Sequence, residues 1–171
     1  MRIDTQAQRV IWSASDLKAA AECEFAWCRA IDAKLGRVPA VEEPEDATLA
    51  RAALLGDVHE RNVLARYVAE LGDDAVRQIA KVSSTDAAAL GAAVEESLAA
   101  LRSDAEVVFQ AAFATEEFVG FADFLRRDAD GRWRVQDSKL ARKARVTALM
   151  QLAAYVDQLD RLGVPRADEV D

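Results

Sequence analysis

Hydrophobic positions along the chain follow a helical period in one half and a strand period in the other. Ser13 with Asp16 three residues on fits a capping box, and Gly36 and Pro39 mark an end, so one helix is predicted from about Ser15 to Lys34. The acidic linker Val41 to Asp46 leads to a second helix, which Asp46 is placed to cap, with Leu49, Ala52, Gly56, His59, Val63 and Tyr67 on one inward seam. Gly56 reads either as a mid-helix point of close approach or as the end of one helix, with Asp57 and Glu60 capping the next. Leu71 to Asp74 breaks the pattern, and Val76 to Lys81 is ambiguous. Thr85 to Arg102, capped by Ser83 or Ser84, is a third helix whose alanine face (Ala88, Ala92, Ala99) predicts tight packing.

The period then shortens. Glu106 to Ala114 reads as a strand, and Phe118 to Arg126 and Arg132 to Asp137 as two more around the turn residues Asp128-Ala129-Asp130-Gly131, making a three-stranded antiparallel meander. A last helix from about Lys143 to Leu162 places Leu149, Leu152, Val156 and Leu159 on its buried seam and Gln151 and Tyr155 on its shoulder. Gly163-Val164-Pro165 ends it, and Val170 reads as the start of another strand. The expectation is an α+β chain in a single domain, with residues 1–103 mainly helical and 104–171 carrying a sheet and one helix.

Composition narrows this reading in three ways. A chain of 171 residues with 51% hydrophobic residues supports one domain with a real core. The net charge of −8 argues against indiscriminate nucleic-acid binding, but residues 126 to 145 hold eight basic side chains against three acidic ones, a local balance of +5. No apolar run approaches the ~20 residues that span a bilayer, and the start lacks a signal-peptide design, so no membrane association and a cytoplasmic location are expected. Cys23 and Cys28 alone give no disulfide framework; five residues apart on a helix they lie ~140° apart and share no chelate, so small core residues are the plain expectation.

The chemistry concentrates on the hairpin. Asp123 lies on one strand, Asp137 ends the other, and Lys139 follows at a two-residue step on the same face. Two carboxylates are hard oxygen ligands for Mg²⁺ or Mn²⁺, and an ammonium beside them can orient an attacking water or offset developing charge, which is the equipment of metal-assisted phosphodiester hydrolysis. Taken alone, an Asp-x-Lys is far more often a solvated pair at a strand end. Likewise a lone inward histidine such as His59 is an ordinary core residue on its own terms, and Gln151 with Tyr155 an ordinary polar pair at a core edge.

Taken together, His59 in GDVHE, Asp123 in GFADF, Asp137-Ser138-Lys139 in VQDSK and Gln151-x-x-x-Tyr155 stand in an order that resembles the PD-(D/E)XK nuclease superfamily, and within it the RecB-like group. The preceding proline of the superfamily's pattern is absent. The resemblance implies an α/β/α restriction-endonuclease-like core with a mixed sheet. It implies that His59, Asp123, Asp137 and the Ser138 carbonyl hold Mg²⁺ or Mn²⁺, with Glu60 as the nearest other donor to His59, and that Asp123, Asp137 and Lys139 are catalytic. Gln151 and Tyr155 would contact nucleic acid, with Arg142, Lys143 and Arg145 meeting phosphates. Some RecB-like nucleases hold an iron-sulfur cluster with one early cysteine and three late ones; Cys23 suits the early place, and the late ones would have to follow residue 171.

Two functions are therefore expected to compete. One is a metal-dependent deoxyribonuclease, an exonuclease on single-stranded DNA or ends in repair, recombination or defence, with a helicase in the same longer chain or as a partner. The other is a nucleic-acid-binding or scaffolding domain that keeps the fold without turnover. The chain reads as part of a longer protein whose next strand would pair beside the Asp-x-Lys strand.

Overall fold

In the computed structural model, residues 1–4, 9–41, 46–138 and 146–171 are described. Their scaffold is a four-stranded sheet of β3 (Val76–Gln78), β4 (Val107–Ala114), β5 (Val119–Arg127) and β6 (Trp133–Gln136), in that order. β3 pairs parallel to β4, and β4, β5 and β6 form the expected antiparallel meander. The turn chemistry read from Asp128 is realised: its carboxylate accepts from the backbone N–H of Asp130 (3.0 Å) and Arg132 (2.8 Å), and Gly131 takes a φ of 77°.

Register decides which side chains share a face. Val108, Leu125 and Val135 pair across three strands, each at most 1% exposed, and join the cluster built with α4 (Ala87–Arg102) and α5 (Val146–Arg161). Burying side chains of this size stabilises the fold by about 1.5–3 kcal/mol each. On the other face Val107 and Phe124 pack under Tyr67 of α3 (Ala47–Leu71), whose hydroxyl donates to Gln136 at 2.7 Å.

A separate two-stranded ribbon, β1 (Arg2–Asp4) with β2 (Arg9–Ile11), precedes α1 (Ala14–Glu22) and α2 (Glu24–Lys34). The Trp12 N–H donates to the Glu117 carbonyl and the Val119 N–H to that of Trp12, both at 2.8 Å, so the start of α1 is tied to the start of β5. The capping box forms, with Asp16 accepting from the Ser13 N–H (2.8 Å) and hydroxyl (2.6 Å).

Several expectations are corrected. The helix expected over 15–34 breaks at Cys23, which adopts an extended backbone (φ −160°, ψ 100°), and both cysteines are exposed rather than in the core. α3 runs unbroken through Gly56, which excludes a helix end there, and outside α3's own backbone no described atom lies within 4 Å of a Cβ built on it. The seam of α3 faces inward only in its later turns: Leu49 is 68% exposed, whereas Tyr67 is buried. α4 is capped by Asp86, which accepts from the Ala89 N–H at 3.0 Å, not by Ser83 or Ser84; it buries Leu90, Ala93, Ser97, Ala100 and Leu101, leaving Ala88, Ala92 and Ala99 exposed. In α5, Leu152 and Leu159 are buried but Leu149 is exposed. The segment expected to start a strand at Val170 does run beside β6, but it is engaged earlier, from Pro165 onward. Trp133 N–H donates to the Pro165 carbonyl (2.9 Å), Ala167 N–H to that of Trp133 (2.8 Å) and Asp137 N–H to that of Asp171 (2.8 Å), with Arg166 bridging Trp133 in parallel.

Candidate active site

The meander brings the two aspartates together. Phe124 pairs with Gln136 at the end of the β5–β6 ladder, and one further step of that antiparallel register sets Asp123 beside Asp137. Both belong to the face of Leu125 and Val135, because side chains two apart on a strand share a face. α5 closes over them: Asp123, Asp137, Phe121, Gln151 and Tyr155 line a narrow cleft of about 70 Å³. A second, larger cleft of about 420 Å³ continues from it and is lined by Glu60, Lys81, Gln110, Asp123, Gln151 and Tyr155, with Ser13 to Ser15 at its α1 side.

Tyr155 is held by packing. Its ring lies 5.9 Å from that of Phe113 and 6.0 Å, edge-on, from that of Phe118, and Gly120 passes beneath without a side chain. Burial pushes the Tyr155 hydroxyl well above the ordinary phenol range, the Asp123 carboxylate adds to this and Asp137 less so, while a hydrogen bond from the Phe121 backbone partly offsets the rise. The hydroxyl therefore stays protonated throughout the neutral range.

The other expected residues fall into three groups. Ser138 is half-buried directly after Asp137, with its carbonyl at the expected point in the chain. His59 is half-buried on α3, but neither cleft is lined by it; its neighbour Glu60 is the α3 residue that lines the larger one. Lys139, Arg142, Lys143 and Arg145 lie outside the described residues. Sequence reasoning passed over Lys81 and Gln110, although Gln110 is the sole polar residue between Val107 and Ala114, a visible interruption in an apolar strand.

Among the described residues, no three His, Cys, Asp or Glu side chains gather closely enough to hold a metal ion by themselves. Two adjacent carboxylates still suit Mg²⁺ or Mn²⁺, since Mg²⁺ is commonly held by one or two carboxylates and keeps several waters. Cys23, exposed at the α1–α2 junction, has no such group around it among the described residues.

The model of the PD-(D/E)XK nuclease superfamily matches residues 11–169, which spans both aspartates and the α5 pair. The chain belongs to the PD-(D/E)XK nuclease superfamily. Membership agrees with the mixed sheet flanked by helices, a restriction-endonuclease-like fold, and it implies a nuclease, a hydrolase acting on nucleic acid. Superfamily nucleases generally use Mg²⁺ or Mn²⁺, which is the cation class the paired aspartates suit. No curated protein and no solved structure matches the chain. No helix among the described residues is long and apolar enough to cross a membrane.

Proposed function

We propose that this chain is a divalent-metal-dependent deoxyribonuclease of the RecB-like group, acting on single-stranded DNA or DNA ends. The observation that carries the proposal is the pairing of Asp123 with Asp137 beneath Gln151 and Tyr155. The RecB-like assignment and the end preference rest on the resemblance of His59, Asp137-Ser138-Lys139 and Gln151-x-x-x-Tyr155 to that group.

The carboxylates of Asp123 and Asp137 and the carbonyl of Ser138 would hold Mg²⁺ or Mn²⁺. When bound, such an ion supplies an activated water and positive charge for the scissile phosphate. From α3, His59 is the ligand the resemblance implies, and Glu60 is the one the lining of the cleft favours. Lys139 follows Asp137 by two residues in the sequence, and its ammonium would orient the attacking water and balance charge on the phosphate. The protonated Tyr155 hydroxyl and the Gln151 carboxamide are donors for phosphate or base at the wall of the cleft. Arg142, Lys143 and Arg145, which precede α5 in the sequence, would supply positive charge for phosphates.

The test is cleavage of an end-labelled single strand in Mn²⁺ by the parent and by Asp137→Ala, with thermal midpoints recorded for both. The variant should lose cleavage and keep or raise its midpoint, because two adjacent carboxylates repel without a cation between them. Undiminished cleavage by Asp137→Ala overturns the assignment. A parent that binds DNA but never cuts it would favour a scaffolding role.

A further inference from the structure

The larger cleft beside the paired aspartates has an acidic wall with one basic side chain in it. Glu60 and Asp123 line that cleft, and Asp137 lines the narrow one that adjoins it through Phe121, Asp123, Gln151 and Tyr155. Among the described residues, Lys81 is the sole lysine or arginine that lines either cleft. The Met1 ammonium, also at this wall, is taken by Asp16 at 2.6 Å.

Lys81 has a fixed backbone and an available side chain. It follows β3, beyond which the Ile79 N–H still donates to the Phe109 carbonyl at 3.0 Å. On one side of it Ile79 is 3% exposed in the main core; on the other Val82 is half-buried against that core and against the Val119 cluster. Three residues on, the Ser84 carbonyl accepts from Arg2 at 2.6 Å. The Lys81 side chain itself is exposed, and no described carboxylate forms an ion pair with it. Glu60, on the same wall, accepts instead from Nε2 of Gln110. A hydrated ammonium on a long stem, anchored at a fixed backbone point, serves as a point charge for phosphate.

A strand entering these clefts carries a negative charge at every phosphate. A cation at the aspartates answers the charge of the scissile phosphate. For the phosphate beside it, the counter-charge that the described residues of the two clefts offer is Lys81. We propose that Lys81 is a substrate-binding residue: its ammonium takes the phosphate next to the scissile one, and the larger cleft is the path that the adjoining nucleotide follows away from the aspartates. This rests on the nuclease reading above and goes beyond it, since Lys81 belongs to none of the motifs that carry the resemblance and lies on neither strand that bears an aspartate.

The experiment measures binding of an end-labelled thymidylate single strand across a range of salt, and its cleavage in Mn²⁺, for the parent, Lys81→Ala, Lys81→Arg and Lys18→Ala. Lys18→Ala removes the same charge from α1 at a position that lines neither cleft. Thermal midpoints and Mn²⁺ affinities accompany each variant. Lys81→Ala should weaken strand binding by about tenfold, the usual worth of a charged hydrogen bond, and place the loss in KM rather than in kcat. It should also flatten the slope of log affinity against log salt by about 0.7, the share of one phosphate contact on a single strand. Its midpoint should match the parent's, and its Mn²⁺ affinity should be no weaker, because the ammonium holds no metal. Lys81→Arg should restore both affinity and slope, and Lys18→Ala should leave both as in the parent. Binding, KM and salt slope equal to the parent's in Lys81→Ala overturn the proposal. So does an equal effect of Lys18→Ala, which would make it a matter of net charge, or a matching loss of Mn²⁺ affinity, which would make it structural. Where Asp137→Ala abolishes cleavage and Lys81→Ala behaves as the parent, this inference alone fails; where Asp137→Ala cuts as the parent does, the nuclease reading fails and takes this one with it.

Discussion

Gly120→Ala is the substitution whose consequence follows most directly from the packing around the site. Gly120 sits in β5 with an unremarkable φ, so alanine meets no backbone penalty there. The obstacle is steric: an added Cβ would lie 2.9 Å from Cε1 of Tyr155 and 3.1 Å from two ring atoms of Phe118. Carbon atoms in comfortable contact stand about 3.5–4.0 Å apart, so one ring must move by several tenths of an ångström. Neither ring moves cheaply, because Phe118 is 9% exposed and Tyr155 is packed against both Phe113 and Phe118. Overpacking of this kind costs about 1–3 kcal/mol, and replacing glycine returns about 0.4–1 kcal/mol through the unfolded chain. The net loss expected is about 1–2 kcal/mol, which for a domain of this size lowers the thermal midpoint by roughly 2–8 °C. Urea and thermal unfolding of the parent and Gly120→Ala measure it. In a Tyr155→Leu background, where the aromatic ring is gone, the same substitution should cost distinctly less. A midpoint for Gly120→Ala equal to or above the parent would refute the packing argument.

Two further outcomes follow from other elements. Gly56→Ala should stabilise by about 0.5–1 kcal/mol, because glycine in a helix interior is unfavourable and the space around it is open; urea unfolding would show it, and destabilisation would mean that the site needs the glycine. Asp128 has its carboxyl lowered below the ordinary range, first by the hydrogen bond from the Arg132 N–H and then by that from Asp130 and the Arg132 guanidinium. A lowered folded value gives stability that is present above the ordinary carboxylate pKa, about 3.9, and is lost as pH falls through the folded value. Asp128→Asn should therefore flatten the acid side of the stability profile below about pH 4, read as urea midpoints from pH 6 to pH 3; an unchanged slope would contradict this.

What could be read in the sequence was what local chemistry enforces. The Asp128 to Gly131 turn fixes the hairpin, the hairpin fixes its register, and register sets Asp123 beside Asp137, so the centre of the site was legible from residues alone. The Gln151–Tyr155 step was legible for the same reason, since helical spacing places both over the same strands. What tertiary packing decides was not legible. Cys23 is no helix breaker, yet the chain bends there, and Trp27 of α2 comes to lie 5.5 Å from Trp12. β3 is three residues long, too short for a period, and its parallel pairing with β4 depends on a partner thirty residues on. The alanine face of α4 misled because alanine is neutral to burial; Leu90, Ser97 and Leu101 choose the inward side, Ser97 by accepting the Ala112 N–H at 2.9 Å. Gln110 escaped because no local rule places a left-handed residue within an apolar strand.

Calorimetric titration of Mn²⁺ into the metal-free parent, Asp123→Asn, Asp137→Asn and the double variant tests whether Asp123 and Asp137 act as one divalent-cation site. Both single variants should bind at least about tenfold more weakly than the parent, and the double variant should be little worse than either, since each removes a ligand of the same ion. A parent without measurable Mn²⁺ binding, or single variants that bind as the parent does, would contradict the account.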